Sequence, residues 1–65
     1  MIEERFENRI REVRKRKGLR QVDLAGKVGI FQSELSEIET GVRKPNVYLA
    51  KRIARALGVS LDEIF

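Results

Sequence analysis

Gln32, Ser33, Ser36 and Glu37 set a carboxamide, two hydroxyls and a carboxylate in one short stretch of the chain. A carboxamide can donate and accept at once, and a carboxylate accepts only. Such a set can recognise hydrogen-bonding edges. Just upstream lie seven basic residues: Arg9, Arg11, Arg14, Lys15, Arg16, Lys17 and Arg20. Clustered cations beside a short polar face fit an anionic partner, nucleic acid first among them. The other reading of the cluster is a solvated helix face carrying a few ion pairs.

Composition narrows the chemistry further. The chain has 65 residues, 14 basic and 10 acidic, for a formal charge of +4. It has no Cys and no His, which excludes disulfides, thiolate chemistry, the usual zinc sites and most nucleophile–base pairs. Ser33, Ser36, Ser60 and Tyr48 have no neighbouring base that the sequence identifies. No catalytic residue, metal ligand or cofactor is therefore expected. No apolar run approaches the roughly 20 residues that span a bilayer, and the acidic start Met1-Ile2-Glu3-Glu4 lacks a signal-peptide core. A cytoplasmic protein without membrane contact is expected, folded as one domain over residues 1–65.

The elements that must position the polar face can be read from apolar spacing and glycine stops. Ile2, Phe6, Ile10 and Val13 form one helical stripe, ended by Gly18. Val22, Leu24, Ala25 and Val28 predict a helix over Gln21–Val28, stopped by Gly29. Leu35 and Ile38 predict a third helix from about Gln32 to Glu39, with Gly41 beyond it. Pro45 biases Lys44 away from helix. Asn46 is a good N-cap for a helix over Val47–Leu57, with Leu49, Ile53, Ala56 and Leu57 on its buried face. Ser60 and Glu63 stand at capping-box spacing before Leu61, Ile64 and Phe65. Those three apolar residues either close the core or face a second subunit. The sum is an all-α, five-helix domain.

Gln21–Val28 and Gln32–Glu39 are separated by only a few residues, which makes a helix-turn-helix over about 21–39. Ala25 is small enough for a close crossing, Gly29 tolerates the positive φ of the turn, and Ile30 plugs it. Leu35 and Ile38 face back onto the first of the two helices. This geometry braces one helix on the sugar–phosphate backbone and lays the next in the major groove, with Gln32, Ser33, Ser36 and Glu37 outward.

The stretch Gln21-Val22-Asp23-Leu24-Ala25-Gly26-Lys27-Val28-Gly29 resembles the Q-x-x-L-A-x-x-x-G signature of phage-repressor and Cro-type regulators. Glu39-Thr40-Gly41-Val42-Arg43-Lys44-Pro45 resembles their E-N-G-x-R-x-P loop. Ala56 to Phe65 is similar to their closing helices, so the likeness covers residues 8 to 65. It implies a compact lambda-repressor-like fold and sequence-specific binding of double-stranded DNA. It also implies roles by position: Gln32, Ser33 and Glu37 read bases; Arg20, Gln21, Arg43 and Lys44 hold the DNA backbone; Arg14 and Glu39 form a buried ion pair. The chain departs from the family pattern at Phe31 (usually Ser or Thr), at acidic Glu34 and Glu37, at Thr40 (usually Asn) and at Gly26. Phe31 either packs against the second helix or touches a thymine methyl. Glu37 either reads a base or belongs to a solvated face.

One such domain offers a small interface, so useful specificity calls for a homodimer on an inverted repeat, joined through Leu61 to Phe65 with nearby loop residues. A repressor is the expected role. No small-molecule ligand is expected, because the sequence holds no segment outside the helical domain to take one. The alternative is an antitoxin-like or other protein-interaction module on the same fold, for which Glu34 and Glu37 speak.

Overall fold

Six large apolar side chains, Ile10, Leu24, Leu35, Ile38, Ile53 and Ile64, come from five different helices and meet in one place. The computed structural model describes residues 5–65. The helices are α1 (Ile10–Arg16), α2 (Gln21–Val28), α3 (Gln32–Glu39), α4 (Val47–Leu57) and α5 (Leu61–Ile64). α2 packs on both α3 and α4, and α5 closes over α4. Val13, Ala25, Val28, Ala54 and Leu57 fill the space between the six. None of the helices is long and apolar enough to cross a membrane.

Local sequence explains most boundaries. Asn46 Oδ1 accepts from Leu49 N at 2.8 Å and starts α4. Gly29 ends α2 at φ 75°, a left-handed conformation in which any other side chain is strained; the next N–H, of Ile30, returns to the Ala25 carbonyl at 3.1 Å. Ala25 is buried at the α2 crossing, as its size suggests. On α4 the buried stripe is Ala50, Ile53, Ala54 and Leu57, with Leu49 and Ala56 only half-buried. Glu63 Oε1 accepts from Ser60 N–H at 3.4 Å, one half of a capping box.

The first helix is shorter than its apolar stripe suggests. Ile2 lies outside the described residues, and Phe6 is not helical: α1 begins at Ile10. The reason is competition for backbone partners. Phe6 N–H donates to Gly41 C=O at 2.9 Å, and Arg9 N–H donates to Ile64 C=O at 2.9 Å. Asn8 Nδ2 donates to Ile38 C=O at 2.8 Å, while its Oδ1 accepts from Ile10 N–H at 3.1 Å and so caps α1. The segment before α1 is thus a strap joining the end of α3 to α5. Gly41 makes room for it: at φ 83°, a Cβ there would stand 2.9 Å from the Phe6 carbonyl oxygen.

Arg14 is the charged side chain drawn into this interior, and Glu39 receives it. Arg14 Nε donates to Glu39 Oε2 at 2.7 Å, and Nη2 donates to Oε1 at 3.1 Å. The Glu39 side chain is fully buried and that of Arg14 is 9% exposed. Arg14 Nη1 donates to Leu19 C=O at 2.9 Å, closing the turn after α1. Among the described residues no buried side-chain nitrogen or oxygen lacks a partner. Satisfaction of every group is what makes a buried pair tolerable, since desolvation otherwise outweighs the Coulomb attraction.

Two substitutions test this packing from opposite sides. Glu39→Gln leaves the Arg14 charge buried without its counter-charge and should cost about 3–5 kcal/mol. That rivals the whole stability expected for 65 residues, roughly 3–10 kcal/mol. Thermal melts followed by circular dichroism should show a large drop, and wild-type melting in both Glu39→Gln and Arg14→Gln would contradict the pair. Gly26 sits inside α2 with open space where a Cβ would stand. Gly26→Ala should therefore stabilise by about 1 kcal/mol, raising the melting temperature by roughly 4–8 °C; an unchanged or lower value would contradict the helix interior described.

Candidate nucleic-acid interface

The α2–turn–α3 unit puts one end of each helix on the same surface. Gln21 is the first residue of α2 and Gln32 the first of α3. Gln32 Nε2 donates to Gln21 Oε1 at 3.3 Å, and Gln21 Nε2 donates to Glu39 Oε1 at 3.2 Å. The buried carboxylate that receives Arg14 therefore also orients Gln21, and Gln21 orients Gln32. A primary amide has two N–H groups. With one used on Gln21, Gln32 keeps its other N–H and its carbonyl oxygen, the pair needed to grip an adenine edge at N7 and N6.

Gln32 and Ser33 are exposed, while Glu34, Ser36 and Glu37 are half-buried. Leu35 and Ile38, on the other side of α3, are fully buried. The polar face therefore points away from the core, as the spacing requires. Glu37 is not free on that face. Arg43 Nε donates to Glu37 Oε1 at 2.8 Å, and Arg43 Nη2 lies 2.8 Å from the same oxygen. The structure thus joins a residue assigned to base reading with one assigned to the DNA backbone.

Phe31 loses one of its two expected places. The residue is 77% exposed and so is not buried against α2. It has no oxygen with which to cap α3. Instead Glu34 Oε1 accepts from Phe31 N–H at 3.3 Å, so the acidic residue tends the helix start. At the other end, Thr40 Oγ1 donates to the carbonyls of Ser36 and Glu37 at 3.0 and 3.2 Å. Thr40 thus tends the end of α3 without the family's usual asparagine.

Arg20 precedes α2 and is held by Asp23 through two hydrogen bonds of 3.0 Å, from Nε and Nη2, while Asp23 Oδ2 also accepts from Arg20 N–H at 2.9 Å. The side-chain hydrogen bond and charge of Asp23 raise the pKa of Arg20. The Arg20 side chain and backbone N–H in turn hold the Asp23 carboxyl below the usual carboxylate range. The pair is solvent-exposed and its effect is on direction: the fork presets the guanidinium at the start of α2. Lys44 Nζ stands 5.4 Å from the centre of the Phe6 ring, a cation–π contact, and Phe6 in turn lies 5.4 Å from the ring of Phe65. Of the basic cluster, Arg11 approaches Glu39 Oε1 at 3.5 Å, Arg16 pairs with Glu12 at 3.2 Å and Arg9 Nη2 donates to the Asp62 carbonyl at 3.2 Å.

Arg52 is a residue that motif reading passes over. It projects from α4 to within 4.0 Å of where a Cβ on Gly29 would stand, at the helix-turn-helix turn itself. Its only signal in sequence is that it adjoins buried Ile53 on the exposed side of α4. Among the described residues no group of three or more acidic, His or Cys side chains is gathered to hold a metal ion.

Comparison with known proteins agrees with this geometry. A helix-turn-helix family model matches residues 10–64. An HTH-type transcriptional regulator of Methanothermobacter thermautotrophicus is 46% identical over 57 residues, covering 86% of this chain and 83% of that protein. The crystal structure of the restriction-modification controller protein C.AhdI from Aeromonas hydrophila superposes with a TM-score of 0.83 at 35% identity, over 88% of this chain and 86% of that one. The master regulator for biofilm formation SinR, crystallised in complex with DNA, superposes with a TM-score of 0.77 at 34% identity, over 83% and 87% of the two chains. The buried Arg14–Glu39 clamp, the Gln21–Gln32 contact and the exposed face of α3 are thus features of a chain that belongs to the Cro/C1-type helix-turn-helix family of DNA-binding transcriptional regulators.

Proposed function

We propose that the chain is a dimeric, sequence-specific repressor that binds an inverted repeat in double-stranded DNA with α3 in the major groove. The observation that carries this reading is the orientation of Gln32 by Gln21 at 3.3 Å, at the exposed start of α3. Gln32 reads adenine, Ser33 beside it contacts the neighbouring base, and Glu37 accepts from a cytosine amino group. Arg20, Gln21, Arg43 and Lys44 flank α3 on both sides in sequence and hold phosphates, which fixes register. Exposed Phe31 supports an apolar contact with a thymine methyl at the edge of the site.

One α3 reads too few base pairs for useful specificity, so two copies roughly 34 Å apart are required, one DNA turn. The half-buried Leu61 and Phe65, beside buried Ile64, make the α5 end the proposed contact between subunits. Repression follows from occupancy of a promoter. SinR, a structural relative crystallised in complex with DNA, supports the DNA-binding reading. Glu34 and Glu37 were the features favouring a protein-interaction module. Both have partners within the chain, Phe31 N–H and Arg43, which favours the DNA reading instead.

Selection from a random DNA pool followed by binding measurements tests the proposal. The enriched site should be an inverted repeat bound by two subunits in sedimentation, with binding weakened by orders of magnitude from about 50 to 200 mM salt. On that site Gln32→Ala should cost about 1–3 kcal/mol and on scrambled DNA almost nothing. Equal losses on both duplexes would make Gln32 a backbone contact, and a one-to-one complex on the full repeat would rule out the dimer.

A further inference from the structure

The contact between Glu37 and Arg43 brings together two groups that DNA would pull apart. The loop after α3 is stapled to that helix by its backbone: Val42 N–H and Arg43 N–H both donate to the Glu37 carbonyl, at 2.9 and 3.1 Å. The Arg43 Cα is therefore fixed relative to Glu37 whatever the side chains do. Over that fixed base, two of the three guanidinium nitrogens, Nε and Nη2, converge on the single oxygen Oε1 at 2.8 Å. The two side chains remain 52% and 46% exposed. A pair so solvated is weakly held, and opening it needs only side-chain rotation.

We infer that Glu37 and Arg43 form a specificity latch, in which the base met by Glu37 decides whether Arg43 is free to neutralise a phosphate. The inference rests on the proposed reading of DNA by α3. While paired, Arg43 offers a phosphate little net charge. A cytosine amino group in the groove gives the Glu37 carboxylate an alternative donor, and Arg43 then turns to the backbone. Any base without such a donor leaves Glu37 with Arg43 as its sole counter-charge, because an unpaired carboxylate among phosphates is disfavoured. Arg43 then stays latched and one phosphate contact per subunit is lost. Base identity is thereby converted into backbone affinity, so discrimination exceeds that of the base contact alone.

The test is the salt dependence of binding to a selected duplex and to a scrambled one, for wild type, Glu37→Gln, Arg43→Ala and the double variant. On scrambled DNA, Glu37→Gln should bind about threefold to tenfold more tightly per subunit and steepen the log–log salt slope by about 0.9 per subunit, the value of one added phosphate. Arg43→Ala should weaken scrambled binding, because it leaves the Glu37 carboxylate unpaired among phosphates, and should flatten the slope by one phosphate contact on the selected duplex only. The double variant should bind scrambled DNA like wild type. If the double variant binds scrambled DNA as tightly as Glu37→Gln alone, plain repulsion explains the gain and the latch is overturned. If Arg43→Ala flattens both slopes equally, Arg43 is free on all DNA and the latch is again overturned. Wild-type binding that ignores salt on both duplexes would instead overturn the DNA reading on which the latch rests.

Discussion

The buried carboxylate of Glu39 is the constraint on which the rest of this small protein turns. It sits at the end of α3, fully out of solvent, and accepts hydrogen bonds from Arg14, Gln21 and, at longer range, Arg11. A charge in that position is unfavourable unless each of its lone pairs is used. Meeting that demand fixes α1 against α3 and sets the side chain of Gln21 at the start of α2. Gln21 then fixes Gln32. The pair adds little net stability compared with well-packed apolar residues; what it supplies is a single arrangement for the side chains that face outward. Structural and functional demands therefore converge on one residue, and stability and recognition are expected to fail together when it is changed.

Around that anchor, much of the surface charge is already committed within the chain. Asp23 holds Arg20, Glu37 holds Arg43, and the Phe6 ring lies under Lys44. The Arg20 and Lys44 arrangements reduce the freedom of a long cationic side chain before DNA arrives, which lowers the ordering cost of binding, whereas Arg43 must leave Glu37 to reach a phosphate. The acidic partners also temper non-specific attraction to phosphates. The strap from Arg5 to Arg9 ties the α3–α4 loop, through Gly41, to α5 through Ile64. The loop proposed to follow the DNA backbone and the helix proposed to meet a second subunit are thus joined by one short segment.

Helix positions were legible in the sequence wherever local rules acted alone. Gly29, Asn46 and the alternation of apolar residues give α2, α3 and α4 to the residue. The first helix was misread because Phe6 fits a helical stripe equally well. What decides against helix there is a set of hydrogen bonds to Gly41 and Ile38, which local periodicity cannot contain. Of the two places open to Phe31, the sequence could not exclude packing on the second helix; the structure leaves it 77% exposed, beside an interior formed by Leu24, Leu35 and Ile53. The residues assigned to DNA lie on α3, at the start of α2 or in the loop after α3, where the family resemblance of those stretches puts them. The Glu37–Arg43 contact was not reachable, because it depends on how the loop folds back onto α3. Arg52 was equally hidden, since α4 meets the turn only in three dimensions.

The central claim is that a relay from buried Glu39 through Gln21 aims Gln32 at an adenine. It is tested most directly by replacing one ring nitrogen of the DNA with a C–H group. Binding of wild type and Gln21→Ala should be measured on the selected duplex and on a copy with 7-deazaadenine at the position assigned to Gln32. The relay predicts that wild type loses about tenfold or more on the substituted duplex, as expected for one broken bidentate contact. It predicts that Gln21→Ala, whatever its overall affinity, discriminates far less between the two. Equal discrimination by both proteins, or indifference of wild type to the missing nitrogen, would contradict it.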